Sequence, residues 1–203
     1  MTLQYIWAKL VRKLRGKAIL NSTIAPSSKV ESGSHVVDST MGRHSFCGYD
    51  CEITNCDIGA FCSIANEVVI GGGRHPMEWV GMSPVFYEGR DSVRAKFSMH
   101  KRLPLLRTTI GNDVWVGRRA IIKPGVRVGH GAVIGMGSIV TKDVKDYMIV
   151  AGCPAKSLRP RFDCEMIAEL LRIRWWDFSE ADLAESAQYF TDPKAFVAKM
   201  KKT

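Results

Sequence analysis

IGNDVWVGRRAIIKPGVRVGHGAVIGMGSIVTKDV, residues 110–144, carries an apolar side chain at every sixth position: Ile110, Val116, Ile122, Val128, Ile134 and Val140. Glycine follows most of them, as Gly111, Gly117, Gly129 and Gly135, and a small or β-branched residue stands four places on, as Val114, Ala120, Val126, Ala132, Ser138 and Val144. Neither the 3.6 period of a helix nor the alternation of a simple strand produces this spacing. One large and one small inward residue in every six suits short strands joined by tight turns and stacked coil upon coil, a parallel β-helix. Glycine makes such turns at little steric cost.

Upstream, a looser copy runs through Ile24, Val30, Val36, Met41, Cys47, Ile53, Ile58, Ile64 and Ile70, with five-residue steps at Met41 and Ile58. Its small positions include Ser28, Ser34, Thr40, Ser45, Cys51 and Cys62. Six cysteines without a CxxC pair argue against a metal site, so Cys47, Cys51 and Cys62 read as small buried side chains. Between the two blocks, residues 71–109 leave the repeat in an excursion too long for an ordinary connection and too aromatic for a disordered linker. It carries His75, Trp79, Phe86, Tyr87, Phe97 and His100 and is expected to be ordered and to face a substrate.

Both flanks read as helical. Leu3, Ile6, Trp7, Leu10, Val11 and Leu14 fall at helical spacing among Lys9, Arg12, Lys13, Arg15 and Lys17, with no acid before Glu31. The segment 1–20 is therefore expected to be an amphipathic, cationic helix that caps the first coil of a 21–162 β-helix or makes weak contact with a membrane surface. From 163 to 203, Ile167, Leu170, Leu171 and Trp175 continue as a helix, Ser179 with Asp182 begins a second, and Asp192 before Pro193 begins a third. These helices are expected to cap the open end of the solenoid. No apolar stretch nears the ~20 residues needed to cross a bilayer, and no leader pattern is evident, which makes a cytoplasmic protein the expectation. The net charge of +9 calls for an anionic partner. Nucleic acid is disfavoured because no recognition motif accompanies the basic residues.

The motifs GGGRHP (71–76), IGAFCSI (58–64), MEWVGMSPVFY (77–87), GNDVWVG (111–117) and AGCPAK (151–156), with Trp175 and Trp176, resemble the hexapeptide-repeat acyltransferase superfamily, in particular its xenobiotic and polysaccharide O-acetyltransferase branch. The resemblance spans roughly residues 24 to 162. It implies a left-handed β-helix, mainly β with a long inserted loop and C-terminal α-helices, assembled as a homotrimer. It also implies acetyl-CoA as acyl donor, with no metal. His75 matches the catalytic base, a role suited to an imidazole whose ordinary pKa is near 6.5. Trp115 matches the aromatic beside the pantetheine arm, Gly117 and Gly135 the points of close backbone approach to it, and Thr141, Lys142, Lys156 and Arg159 the positions serving the phosphate end of CoA. Met136 stands where the branch often has Ala at the CoA channel.

Glu78, Tyr87 and His100 are candidates for acceptor contact by their place in the loop. The loop's basic residues, Arg90, Arg94, Lys96, Lys101 and Arg102, favour a hydroxyl of a sugar or surface-polysaccharide precursor as acceptor. An antibiotic acceptor such as chloramphenicol or a streptogramin is the alternative, and transfer to an amino-sugar nitrogen stays open. A catalytically inactive β-helix scaffold is the third reading. The partners expected are thus a small-molecule or glycan acceptor and two further copies of the chain.

Overall fold

The repeat positions stack into three faces of a solenoid. In the computed structural model, which describes residues 2–89 and 93–201, the strands form parallel sheets of six, five and seven strands, the seven-stranded one ending in an antiparallel hairpin. Inside the first face lie Ile19, Val36, Ile53, Ile70, Ile122 and Val140 in vertical register. Inside the second lie Ile24, Met41, Ile58, Ile110 and Val128, and inside the third Val30, Cys47, Ile64, Val116, Ile134 and Val150. Strands of two or three residues are enough because each is hydrogen-bonded to the coil above and the coil below. The architecture is the parallel β-helix expected, consistent with the left hand that the resemblance implies.

The small residues occupy the turns, where their hydroxyls and thiols join successive coils. Ser34 Oγ donates to the Gly48 carbonyl and accepts from Cys51 N–H, and Ser45 Oγ likewise bridges Gly59 and Cys62. Cys47, Cys51 and Cys62 are buried as expected. In the coils before the long loop, the turns at the edge between the first and second faces are one residue shorter, so the inward small residue comes three places after the apolar one. Ser39 and Cys56 are therefore buried there, while Thr40, expected inside, is exposed. Ser39 Oγ accepts from Cys56 N–H in that row.

The long loop leaves at this same edge, after the strand Val69–Gly71, and rejoins at Thr108–Ile110. Gly71 has φ of +78°, and a Cβ there would run into the Thr54 carbonyl of the coil below. The exit thus requires glycine.

The N-terminal helix, α1 (Leu3–Leu14), is shorter than the 1–20 segment expected, and Ala18–Leu20 already pairs as a strand with His35–Val37. Nor does α1 close the first coil. None of its residues is buried, and the inward Ile19 remains 40% exposed.

The C-terminal helices are α2 (Cys164–Ile173), α3 (Glu180–Ser186) and α4 (Pro193–Met200). Their starts follow the sequence: Asp163 caps α2, Ser179 and Asp182 form a capping box on α3, and Asp192 caps α4 ahead of Pro193. Their position corrects the expectation of an end cap, because they run along the edge between the second and third faces. The turns there hold His44, Phe61, Asp113 and Tyr147 in the left-handed region, which makes a ridge spanning several coils. Trp175 packs on Phe61, Trp176 stacks on His130 at 4.7 Å, Arg43 and His44 hold Glu180, and Arg161 holds Asp113. This aromatic ridge is a second core, with Tyr147, Leu170, Trp176, Phe196 and Val197 buried in it.

Candidate active site

His75 sits four residues past the strand end at Gly71 and is exposed, but its ring is oriented. Nδ1 lies 3.0 Å from the Met82 carbonyl oxygen and 3.1 Å from Tyr87 Oη. A carbonyl can only accept, so Nδ1 carries the proton and Nε2 keeps its lone pair. The Nε2 side of the neutral ring is thereby presented outward from the loop.

The loop orders itself around Tyr87. That residue is 4% exposed, with Trp79 edge-on at 6.1 Å, and Lys96 Nζ donates to the Pro84 and Tyr87 carbonyls. Ser98 Oγ donates to the Phe86 carbonyl, and Glu88 N–H to that of His100. Beyond Tyr87 lies an open groove of about 920 Å³, lined by Glu78, Trp79, Val80, Gly81, Phe86, His100 and Lys101. Glu78 and His100 thus stand where an acceptor could touch them, whereas Tyr87 faces the histidine. Of the basic residues read as anion contacts, Lys96 is engaged by carbonyls, Arg94, Lys101 and Arg102 are exposed, and Arg90 lies outside the described residues.

At its return the loop is fastened by Arg107, a residue the sequence reading did not single out. Its guanidinium grips both oxygens of Asp57 and donates to the Asp38 carbonyl at 2.6 Å and to Asn55 Oδ1 at 3.0 Å. The hydrogen bonds from Arg107 hold the Asp57 carboxyl below the usual carboxylate range. The signal for it is weak, since an arginine immediately before a strand is ordinary.

The expected donor residues lie elsewhere. Trp115 projects from the third face, 57% exposed. Register places Val133 beside it, then Ile149, then Arg159, a row of outward side chains that runs from aromatic through aliphatic to cation. At ~4.8 Å per strand the row is about 14 Å long. Lys156 is exposed on the same terminal strand, Ala155–Pro160, whereas Thr141 and Lys142 are exposed at the turn after Ile139–Val140, on the first–second edge. A Cβ on Gly117 would lie 2.5 Å from Met136 N, and one on Gly135 would lie 2.8 Å from Ala151 Cβ. Close stacking of coils therefore already accounts for both glycines. Met136 is 80% exposed at the edge between the third and first faces. Among the described residues no group of three or more His, Cys, Asp or Glu could hold a metal ion, and no helix is long and apolar enough to cross a membrane.

Within one chain the structure does not bring His75 and the row from Trp115 to Arg159 together. In a three-sided solenoid the edge between the first and second faces is opposite the third face. His75 rises from the former and Trp115 stands on the latter. The hydrogen bonds of His75, Tyr87 and Ser98 stay inside the loop, and those of Arg107 return to the same edge.

The chain is similar to several known proteins. The family profile described as "Bacterial transferase hexapeptide (six repeats)" matches residues 107–142. The chain is 37% identical over 187 residues to a chloramphenicol acetyltransferase of Escherichia coli, covering 86% of this chain and 87% of that one. It is 46% identical over 122 residues to a chloramphenicol acetyltransferase of Agrobacterium fabrum, covering 59% and 58%. Among solved structures, the polySia-specific acetyltransferase NeuO superposes with a TM-score of 0.52 at 32% identity, over 70% of this chain and 62% of that one.

Proposed function

Because this chain belongs to the hexapeptide-repeat acyltransferase superfamily and is an acetyltransferase, we propose that it transfers acetyl from acetyl-CoA to a hydroxyl of a compact, chloramphenicol-like antibiotic. The observation that carries this reading is the tautomer of His75, with Nδ1–H held by the Met82 carbonyl and Nε2 left as a base. Nε2 takes the proton of the acceptor hydroxyl as its oxygen attacks the thioester carbonyl. The new C–O bond forms, the C–S bond breaks, and the imidazolium returns its proton to the departing CoA sulfur.

The donor lies along the row Trp115, Val133, Ile149 and Arg159. Its apolar part suits the pantetheine arm, and its cationic end, with Lys156, suits phosphate. Since His75 and this row belong to opposite sides of one solenoid, a neighbouring copy completes the site, which supports the trimer. Apolar outer residues on the first face, Val69, Ile121 and Ile139, give such copies a surface to bury.

On sequence alone the loop's basic residues favour a sugar acceptor over an antibiotic. Likeness to chloramphenicol acetyltransferases over most of the chain reverses that order, and so do the Trp79, Val80 and Phe86 wall of the groove and the engagement of Lys96. The likeness to NeuO, together with exposed Lys101 and Arg102, keeps a glycan hydroxyl as the second reading. The test is CoA release with chloramphenicol, a streptogramin and sugar acceptors, run beside His75→Ala. Release with the antibiotic, lowered roughly 10²- to 10⁴-fold in the variant while acetyl-CoA still binds, supports the proposal. Turnover of sugars alone would shift the acceptor. Parental turnover by a folded His75→Ala protein would remove His75 as base.

A further inference from the structure

Helix α1 rests on the body through its polar side. Arg12 lies 3.7 Å over the Tyr49 ring, Arg15 pairs with Asp50 at 2.8 Å, and Ser32 Oγ donates to the Lys13 carbonyl at 3.1 Å. Tyr5, Ala8, Lys9 and Arg12 share a cleft with Tyr49. At about 100° per residue, Leu3, Trp7, Leu10 and Leu14 project from the side opposite Arg12. All are bare, Leu3 at 85% and Trp7 at 66% exposure. A surface helix ordinarily buries this stripe against its own core and turns its charges to water. Here the order is reversed.

We infer that α1 attaches this acetyltransferase to an anionic lipid surface, lying in the plane of the headgroups with its leucines and Trp7 among the acyl chains. Charge selects this occupant. Lys13 borders one side of the apolar stripe, Lys17 follows the helix, and the chain has no acid before Glu31. Anionic headgroups neutralise those lysines, whereas a second copy of the same face would set them against one another. Arg12 and Arg15 are already committed to Tyr49 and Asp50, so they hold the helix on the solenoid and leave the lysines for lipid. One short helix binds weakly. In a trimer of rotational symmetry three such helices face the same way and multiply the contact.

The experiment is sedimentation of the full chain with vesicles of phosphatidylcholine, with and without phosphatidylglycerol, at low and high salt. Binding is expected only with phosphatidylglycerol, and high salt should weaken it. Trp7→Ser with Leu10→Ser should lower binding by at least about ten-fold, since the pair removes two buried apolar side chains. Lys13→Gln and Lys17→Gln should lower it by about five-fold each. Acetyl transfer without vesicles should be unchanged in all of them, which keeps the result apart from misfolding. Absence of phosphatidylglycerol-dependent binding would overturn the inference, as would binding indifferent to both sets of substitutions. So would sedimentation velocity in which the Trp7 and Leu10 substitutions dissociate the oligomer, because the stripe would then be a contact between copies.

Discussion

The proton on His75 Nδ1 has two oxygens within reach, and they are not equivalent. The Met82 carbonyl is an obligate acceptor at 3.0 Å, whereas the Tyr87 hydroxyl at 3.1 Å can turn its own proton away and accept as well. Tyr87 therefore steadies the ring without setting the tautomer. Tyr87→Phe should lower kcat by roughly 2- to 10-fold, the worth of one hydrogen bond, with KM for acetyl-CoA unchanged. Steady-state kinetics on a variant with parental melting would check it, and loss as deep as that of His75→Ala would give Tyr87 a direct part in the chemistry. The sequence located His75 because a short, glycine-rich exit fixes its place. It could not direct Tyr87, whose hydroxyl finds His75 only once the eleven intervening residues have closed on themselves.

Among the elements, the strands were the most legible. Inward residues six apart stack wherever the turn has its full length, and the misplacement of Thr40 for Ser39 marks where it is shorter. The loop's fastening was not legible, because Arg107 meets Asp57 across fifty residues of chain. Arg107→Ala should loosen the loop, raising tryptic cleavage after Lys101 or Arg102 and lowering activity while the solenoid melts as before. The same anchor predicts an acid effect. Asp57 is depressed in the folded protein, so its contribution is fully present above the ordinary carboxylate pKa and is lost as pH falls through the depressed value. Loop cleavage by an acid-tolerant protease should therefore rise in that window in the parent and stay flat in Asp57→Asn. On the terminal hairpin, Arg159→Ala should weaken binding of CoA, measured by calorimetry, more than binding of pantetheine. Equal loss for both would show that Arg159 does not meet phosphate.

For the whole molecule, sedimentation is expected to give three times the 22.6 kDa chain mass, and a fully active monomer would contradict the shared site. The helical strut along the second–third edge depends on Arg161, whose guanidinium holds Asp113 at 2.9 Å and also donates to the Gly131 carbonyl at 2.9 Å. Burial raises the Asp113 pKa and Arg161 opposes the rise, so Arg161→Met leaves a half-buried carboxylate uncompensated. The loss should be about 2 kcal/mol at neutral pH, below the range for fully buried pairs because both side chains keep some solvent. A raised folded pKa penalises the ionised form, so the deficit should shrink as pH falls through that pKa and Asp113 takes up its proton. Melting curves across that span would show it. The C-terminal helices were legible in kind and start, but their seat was not, because the ridge they cover exists only after Phe61, His130 and Tyr147 have been stacked by the coils. The exit at Gly71 bears on descent as well as on packing. The strands on either side of the excursion are each paired with coils above and below, so the excursion can lengthen, shorten or be exchanged without shifting the register of the solenoid. On the proposed assignment, acceptor choice can therefore change without disturbing the row from Trp115 to Arg159, and a grafted excursion from a relative should rewrite that choice while CoA binding stays as it was.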